Sequence, residues 1–286
     1  MTSVRTPGLN DGPRTGSAFD LARSESRAAL VGYLPAGFPD VPGAIEALKT
    51  MVDSGCDVIE IGLPYSDPVM DGPTIQDAAQ LALERGFRAS DVIRTVEAVA
   101  ATGTPTLVMT YWNPVAQYGR ARGSDGDGGV ERFARDLANA GGAGLITPDL
   151  TPDSAEEWIA AADAHDLDKV FLVAPSSTEE RLRYTTQACR GFVYATAVMG
   201  VTGTRATTSD LAGPLVDRTR AVTDLPIGVG LGVSNGDQAA QVASYADGVI
   251  VGSAFVRVLL DAEDKASGLK ALAALTEDLA SGVRRG

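Results

Sequence analysis

Glu60 and Asp71 are the residues whose surroundings first demand a chemical reason. Both lie in DVIEIGLPYSDPVMDGPT, residues 57 to 74. Val58, Ile59, Ile61 and Leu63 form a near-continuous apolar run, the pattern of a parallel strand covered on both faces. An unpaired carboxylate buried there costs several kcal/mol, or else it takes up a proton. Glu60 is therefore either paired or turned into a cavity where it acts. Asp71 follows in the connection after that strand, just before Gly72-Pro73-Thr74 open a helix. Two carboxylates in unlike environments are the usual way to separate an acid role from a base role. A plainer reading of Asp71 is a carboxylate favoured at a helix start, and Asp67, inside PYSDP, reads as a turn residue.

A second constellation is MGVTGTRA (199 to 206) with GLGVSNGDQ (230 to 238) and VGSAF (251 to 255). Glycines after three consecutive strands let backbone amides approach a ligand, and helix N-termini there favour an anion. Such a nest suits a phosphate monoester. Ser234 and Ser253 supply hydroxyl donors, although serine is also a good helix cap. Tyr194 and Thr196 share one face of the sixth strand, while Tyr33 ends the first strand and Tyr111 the third. These aromatics either wall a flat apolar substrate or simply pack a barrel.

The elements that must position these groups alternate strictly. Eight β-type runs occur at 29–34, 57–62, 106–111, 144–148, 170–174, 192–198, 226–230 and 248–252, each followed by a turn and at least one stretch of helical periodicity. Two helices in succession, 74–86 and 89–103, follow the second run. Eight β/α units argue for a closed parallel barrel. An open doubly wound sheet is disfavoured because no first strand leads into GxGxxG and the glycine-rich segments follow strands six to eight, where barrels often bind phosphate. The expected fold is a single-domain (β/α)8 TIM barrel over residues 18–286, with a flexible leader at 1–17 and an extra helix. The segment from Gly119 to Gly129, GRARGSDGDGG, reads as a mobile surface excursion.

Composition narrows the function classes. A formal charge of −13 without basic blocks argues against nucleic acid and anionic membrane as partners. An anionic substrate must then be held locally, by amides and helix ends. Cys56 and Cys189 form no CxxC pair and suggest reduced thiols in a cytoplasmic protein. No apolar stretch is long enough to span a membrane, and His165, the single histidine, has a polar helix-end context.

The strings YLPAGFPD, DVIEIGLPYSDPVMDGPTIQDA, MTYWNPV, GLITPDL, MGVTGT, GLGVS and VGSAFV, in this order, resemble the tryptophan synthase alpha subunit family from about residue 18 to the C-terminus. The resemblance implies a (β/α)8 lyase that cleaves indole-3-glycerol phosphate to indole and glyceraldehyde 3-phosphate without a metal or cofactor. It also implies a partner, the pyridoxal-phosphate-dependent beta subunit, in an αββα complex. By position, Glu60 matches the catalytic glutamate and Asp71 the catalytic aspartate. Tyr194 matches a pocket tyrosine, and Tyr33 a usually aromatic position that here carries a hydroxyl. Thr202 matches the loop residue that bonds the aspartate on closure. Gly203, Gly232, Gly252 and Ser253 fall on phosphate-binding positions, with Ser234 bordering them. Some members have arginine where this chain has Val198, and the Gly119 to Gly129 segment is longer than is usual. A stand-alone indole-releasing lyase and a non-catalytic activating subunit are the rival readings.

Overall fold

The computed structural model describes residues 13–120, 128–196 and 209–286. All eight β-type runs are strands, and the fifth is interrupted at Phe171. The strands are β1 (Ala29–Pro35), β2 (Val58–Gly62), β3 (Thr106–Met109), β4 (Gly144–Ile146), β5 (Asp168–Val170), β6 (Leu172–Val173), β7 (Val193–Thr196), β8 (Ile227–Gly230) and β9 (Gly248–Val251). Every named pairing is parallel, in the order β5-β4-β3-β2-β1-β9-β8-β7-β6. The two ends of this list are consecutive in the chain, so the sheet curls into a barrel. The break has a geometric cause. Barrel strands tilt and stagger, and the fifth run pairs with β4 through its first half and with β7 through its second. The amide of Tyr194 donates to the Phe171 carbonyl at 3.2 Å and carries the ladder past the break.

The helices are α1 (Thr15–Ser24), α2 (Val41–Asp53), α3 (Pro73–Glu84), α4 (Ala89–Ala100), α5 (Trp112–Ala116), α6 (Val130–Asn139), α7 (Glu156–Ala164), α8 (Glu179–Ala188), α9 (Ser209–Arg220), α10 (Gly236–Ala243), α11 (Ser253–Leu260) and α12 (Lys265–Gly282). Local sequence sets several of their ends. The Asp40 side chain accepts from the Gly43 amide at 2.7 Å and starts α2, and Pro73 sits in the first turn of α3, where its missing N–H is no loss. Leu272 and Leu279 of α12 are fully buried, part of the apolar stripe visible in the sequence.

Side chains alternate along each strand. Ile59 and Ile61 join the layer between barrel and helices, whereas Val58 faces the barrel interior with Ala29, Val31, Leu107, Ile146, Val170 and Ile250. Helix α1 closes the lower end of that interior. Its Phe19 is 1% exposed and stacks on Phe192 with ring centroids 5.0 Å apart. Thr15 is wholly buried, and both its amide and its hydroxyl donate to the Asp168 carboxylate. Residues 15–17, assigned to the leader from sequence, thus belong to the first helix, because Thr15 satisfies a carboxylate that is itself 2% exposed. Residues 1–12 lie outside the described residues.

Candidate functional site

Glu60 shares the inward parity of Val58, so its carboxyl enters the barrel near the C-terminal ends of the strands. In register it stands between Tyr33 on β1 and Leu107 on β3. The residue is 1% exposed, and its Oε2 has no hydrogen-bond partner. Burial, and then the nearby charge of Asp71, push its pKa from 4.5 up to about 8. Glu60 is therefore a carboxyl group held neutral at pH 7 inside the barrel, with its Oε2 unpartnered.

Asp71 lies one residue ahead of Gly72, the N-cap of α3, so it is not the cap of that helix. Its backbone is fixed from both sides. The Met70 amide donates to the Tyr111 hydroxyl at 2.8 Å, and Gln76 Nε2 donates to the Asp71 carbonyl at 2.7 Å. Burial raises the Asp71 pKa, and a hydrogen bond with the Tyr111 hydroxyl holds that rise back. Tyr111 is 5% exposed, and its ring lies 5.4 Å from that of Tyr65. From sequence Tyr111 is either a wall of the site or barrel packing; its link to Asp71 is visible only in the structure.

Tyr33 and Tyr194 stand beside these carboxyl groups. Burial comes first in pushing the Tyr33 phenol well above its usual pKa, followed by the charges of Asp71 and Glu60. Tyr194 is raised by burial and by Glu60. These four side chains therefore sense one another across one space. Inward-facing glycines give the two rings room. A Cβ on Gly62 would sit 2.2 Å from the Tyr33 hydroxyl, and one on Gly230 would sit 2.5 Å from the Tyr194 hydroxyl.

The glycine-rich segments after β8 and β9 stand side by side, because those strands pair through Gly230 and Ile250. Gly232 adopts φ +72°, a conformation that side chains disfavour. Gly252 is the N-cap of α11 and has no side chain to accept from the first amides of that helix, which begin at Ser253. This is an arrangement suited to an anion. Ser234 is turned elsewhere: its amide and hydroxyl both donate to Gln238 Oε1, at 2.8 and 3.0 Å. Thr202, Gly203 and Val198 lie outside the described residues, as do residues 121–127 of the long segment after β3.

Three further side chains of chemical interest lie apart from these groups. His165 Nε2 lies 2.6 Å from Glu131 Oε1 at the end of α7. Burial pushes the Cys189 thiol up to about 12 and the Cys56 thiol higher, which leaves both unreactive at neutral pH. Among the described residues no helix is long and apolar enough to cross a membrane.

Comparison with known proteins agrees with this geometry. A family model described as "Tryptophan synthase alpha chain" matches residues 19–284. The tryptophan synthase alpha chain of Salinispora tropica is 61% identical over 271 residues, covering 95% of this chain and 98% of its own. That of Mycobacterium tuberculosis strain H37Ra is 55% identical over 277 residues and 97% of each chain. Among solved structures, M. tuberculosis tryptophan synthase in space group F222 superposes with a TM-score of 0.87 at 55% identity, covering 96% of this chain and 100% of that one. The tryptophan synthase alpha subunit of Legionella pneumophila superposes with a TM-score of 0.82 at 29% identity, over 95% and 98%. A match of this length shows that the chain belongs to the tryptophan synthase alpha chain family.

Proposed function

We propose that this chain cleaves indole-3-glycerol phosphate to indole and glyceraldehyde 3-phosphate in the cytoplasm, and hands the indole to a beta subunit for tryptophan synthesis. The observation that carries the assignment of roles is the Glu60 carboxyl: buried, unpaired at Oε2 and lifted to a pKa of about 8. A retro-aldol step needs such a group twice. Protonation of indole C3 breaks the ring's aromaticity and leaves positive charge towards the ring nitrogen. Loss of the proton from the adjacent side-chain hydroxyl then turns that carbon into an aldehyde. The electron pair of the breaking C–C bond returns to the ring, and indole is restored. Glu60, neutral at the start, gives the first proton and, once ionised, takes the second.

Asp71, ionised and steadied by Tyr111, accepts the indole N–H and stabilises the positive charge as it develops. Tyr33 and Tyr194 enclose the indole and glycerol portions. The amide ends at Gly232, Gly252 and Ser253 take the phosphate, locally offsetting an acidic chain. Ser234 reaches the phosphate only by releasing Gln238. Thr202 and Gly203 contribute from the segment after β7.

The test is release of glyceraldehyde 3-phosphate from indole-3-glycerol phosphate, by the purified chain alone and with its own beta subunit. Slow turnover alone and a large rise on mixing is the expected result. Fast turnover alone would favour a stand-alone lyase, and none in either case a non-catalytic subunit.

A further inference from the structure

The two ends of the site are joined by a contact that the chemistry above does not use. Arg257 Nη2 donates to Thr74 Oγ1 at 2.5 Å, between residues 183 apart in sequence. Thr74 is 9% exposed and stands in the first turn of α3, three residues after Asp71. Arg257 stands on α11, one helical turn beyond the amide end formed by Gly252 and Ser253. A turn rises about 5.4 Å. The bond thus runs from the first turn of the helix that follows the catalytic aspartate to the helix whose N-terminus suits phosphate.

We infer that Arg257 and Thr74 are positioning residues that couple phosphate binding at α11 to the placement of Asp71. The inference rests on the proposed function. The Asp71 connection is otherwise long and irregular between Leu63 and Gly72, with prolines at 64 and 68. Its anchors include the Leu63 amide on the Met109 carbonyl at 3.0 Å, Asn113 Nδ2 on the Tyr65 hydroxyl at 3.3 Å, Tyr111 at the Met70 amide and Gln76 at the Asp71 carbonyl. The start of α11 also lies against Tyr33, since a Cβ on Gly252 would touch its ring at 3.2 Å. An anion drawing the α11 amides inward moves Arg257 with them, because the first turn is rigid. Thr74 follows, and the carboxylate is brought to the indole nitrogen. A charged donor on a hydroxyl is strong enough to transmit this and is easily removed without touching the core.

The experiment compares Arg257→Gln, Thr74→Val, their double variant, Arg257→Lys and Thr74→Ser, each with the beta subunit, in cleavage of indole-3-glycerol phosphate. Each single loss is expected to lower kcat about tenfold with KM within about twofold, and the double variant to be no slower than the slower single. Lys and Ser, which keep a donor and a hydroxyl, are expected to recover at least half of kcat. Melting temperature, followed in parallel, separates misfolding from mispositioning, and Arg257 is exposed enough that Gln should leave the fold intact. A kcat within about twofold of the parent in Arg257→Gln, or losses that multiply in the double variant, would overturn the inference. If the parent chain itself shows no turnover, the proposed function fails and takes this inference with it.

Discussion

Replacing Glu60 by glutamine separates the cost of its position from its use. The carboxyl is 1% exposed and its pKa rises from 4.5 to about 8. Between those values the folded protein keeps the proton and the unfolded chain releases it, so stability falls as pH rises from about 4.5 and levels off above about 8. Each unit of separation is worth about 1.4 kcal/mol, so the wild-type fold bears about 3 kcal/mol of this penalty at pH 7 and about 5 kcal/mol once the plateau is reached. Glutamine is a neutral mimic of the protonated acid and bears none of it. Glu60→Gln should therefore match the parent near pH 4.5 and exceed it progressively above that, while losing all measurable turnover and still binding substrate. Denaturant midpoints of both proteins at intervals from pH 5 to pH 8.5, with unchanged slopes, measure the gap directly. A gap that does not vary with pH, or a variant less stable than the parent at pH 8, would refute the reasoning. Near-normal turnover would remove Glu60 from the mechanism.

Three other substitutions probe separate parts of the molecule. Tyr111→Phe removes the hydroxyl that restrains the Asp71 pKa; that pKa should climb, and the acid limb of the kcat profile should move to higher pH. Gly230→Ala places a methyl 2.5 Å from the Tyr194 hydroxyl, so the ring must swing away; kcat/KM should fall by about tenfold or more in steady-state assays while the circular dichroism spectrum is unchanged. Thr15→Val leaves the Asp168 carboxylate short of its buried donor, and equilibrium unfolding should show a loss of about 1 to 3 kcal/mol with kcat intact.

Much of this was legible in the sequence because a charge in a doubly covered strand has few explanations. Glu60 stood out between Ile59 and Ile61 for that reason, and the eight β runs were bounded by their turns. Asp71 was ambiguous, since a carboxylate two residues before a proline-led helix resembles a cap; only the three-dimensional placement of Tyr111 separates the roles. The start of helix α1 was hidden because the helix buries few residues, Thr15, Phe19 and Ala22, too sparse a stripe to stand out from its polar neighbours. Helix α11 was legible at its start, where Ser253 follows Gly252, but its extent was not, because SAFVRVLL is nearly as β-prone as the strand before it. The interruption at Phe171 has no local signal at all. It arises from the stagger of the closed ring, which is a property of all the strands together. Ser234 reads from sequence as a hydroxyl donor or a helix cap bordering the phosphate-binding positions, and in the fold it is turned to Gln238, four residues on.

Two aromatic rings, Phe192 just ahead of β7 and Tyr194 on the strand, have centroids 6.5 Å apart. The lower one rests on Phe19 of α1; the upper one looks into the catalytic space. One short segment thus belongs to two regimes of selection. Changes at Phe192 should be felt by the folding equilibrium and be nearly silent in turnover per folded molecule, whereas changes at Tyr194 should leave expression and melting almost untouched and alter the substrate range. Variation between relatives ought to divide at that height of the barrel, the storey below drifting only among side chains of equal volume and the storey above free to be remodelled for other flat phosphorylated substrates.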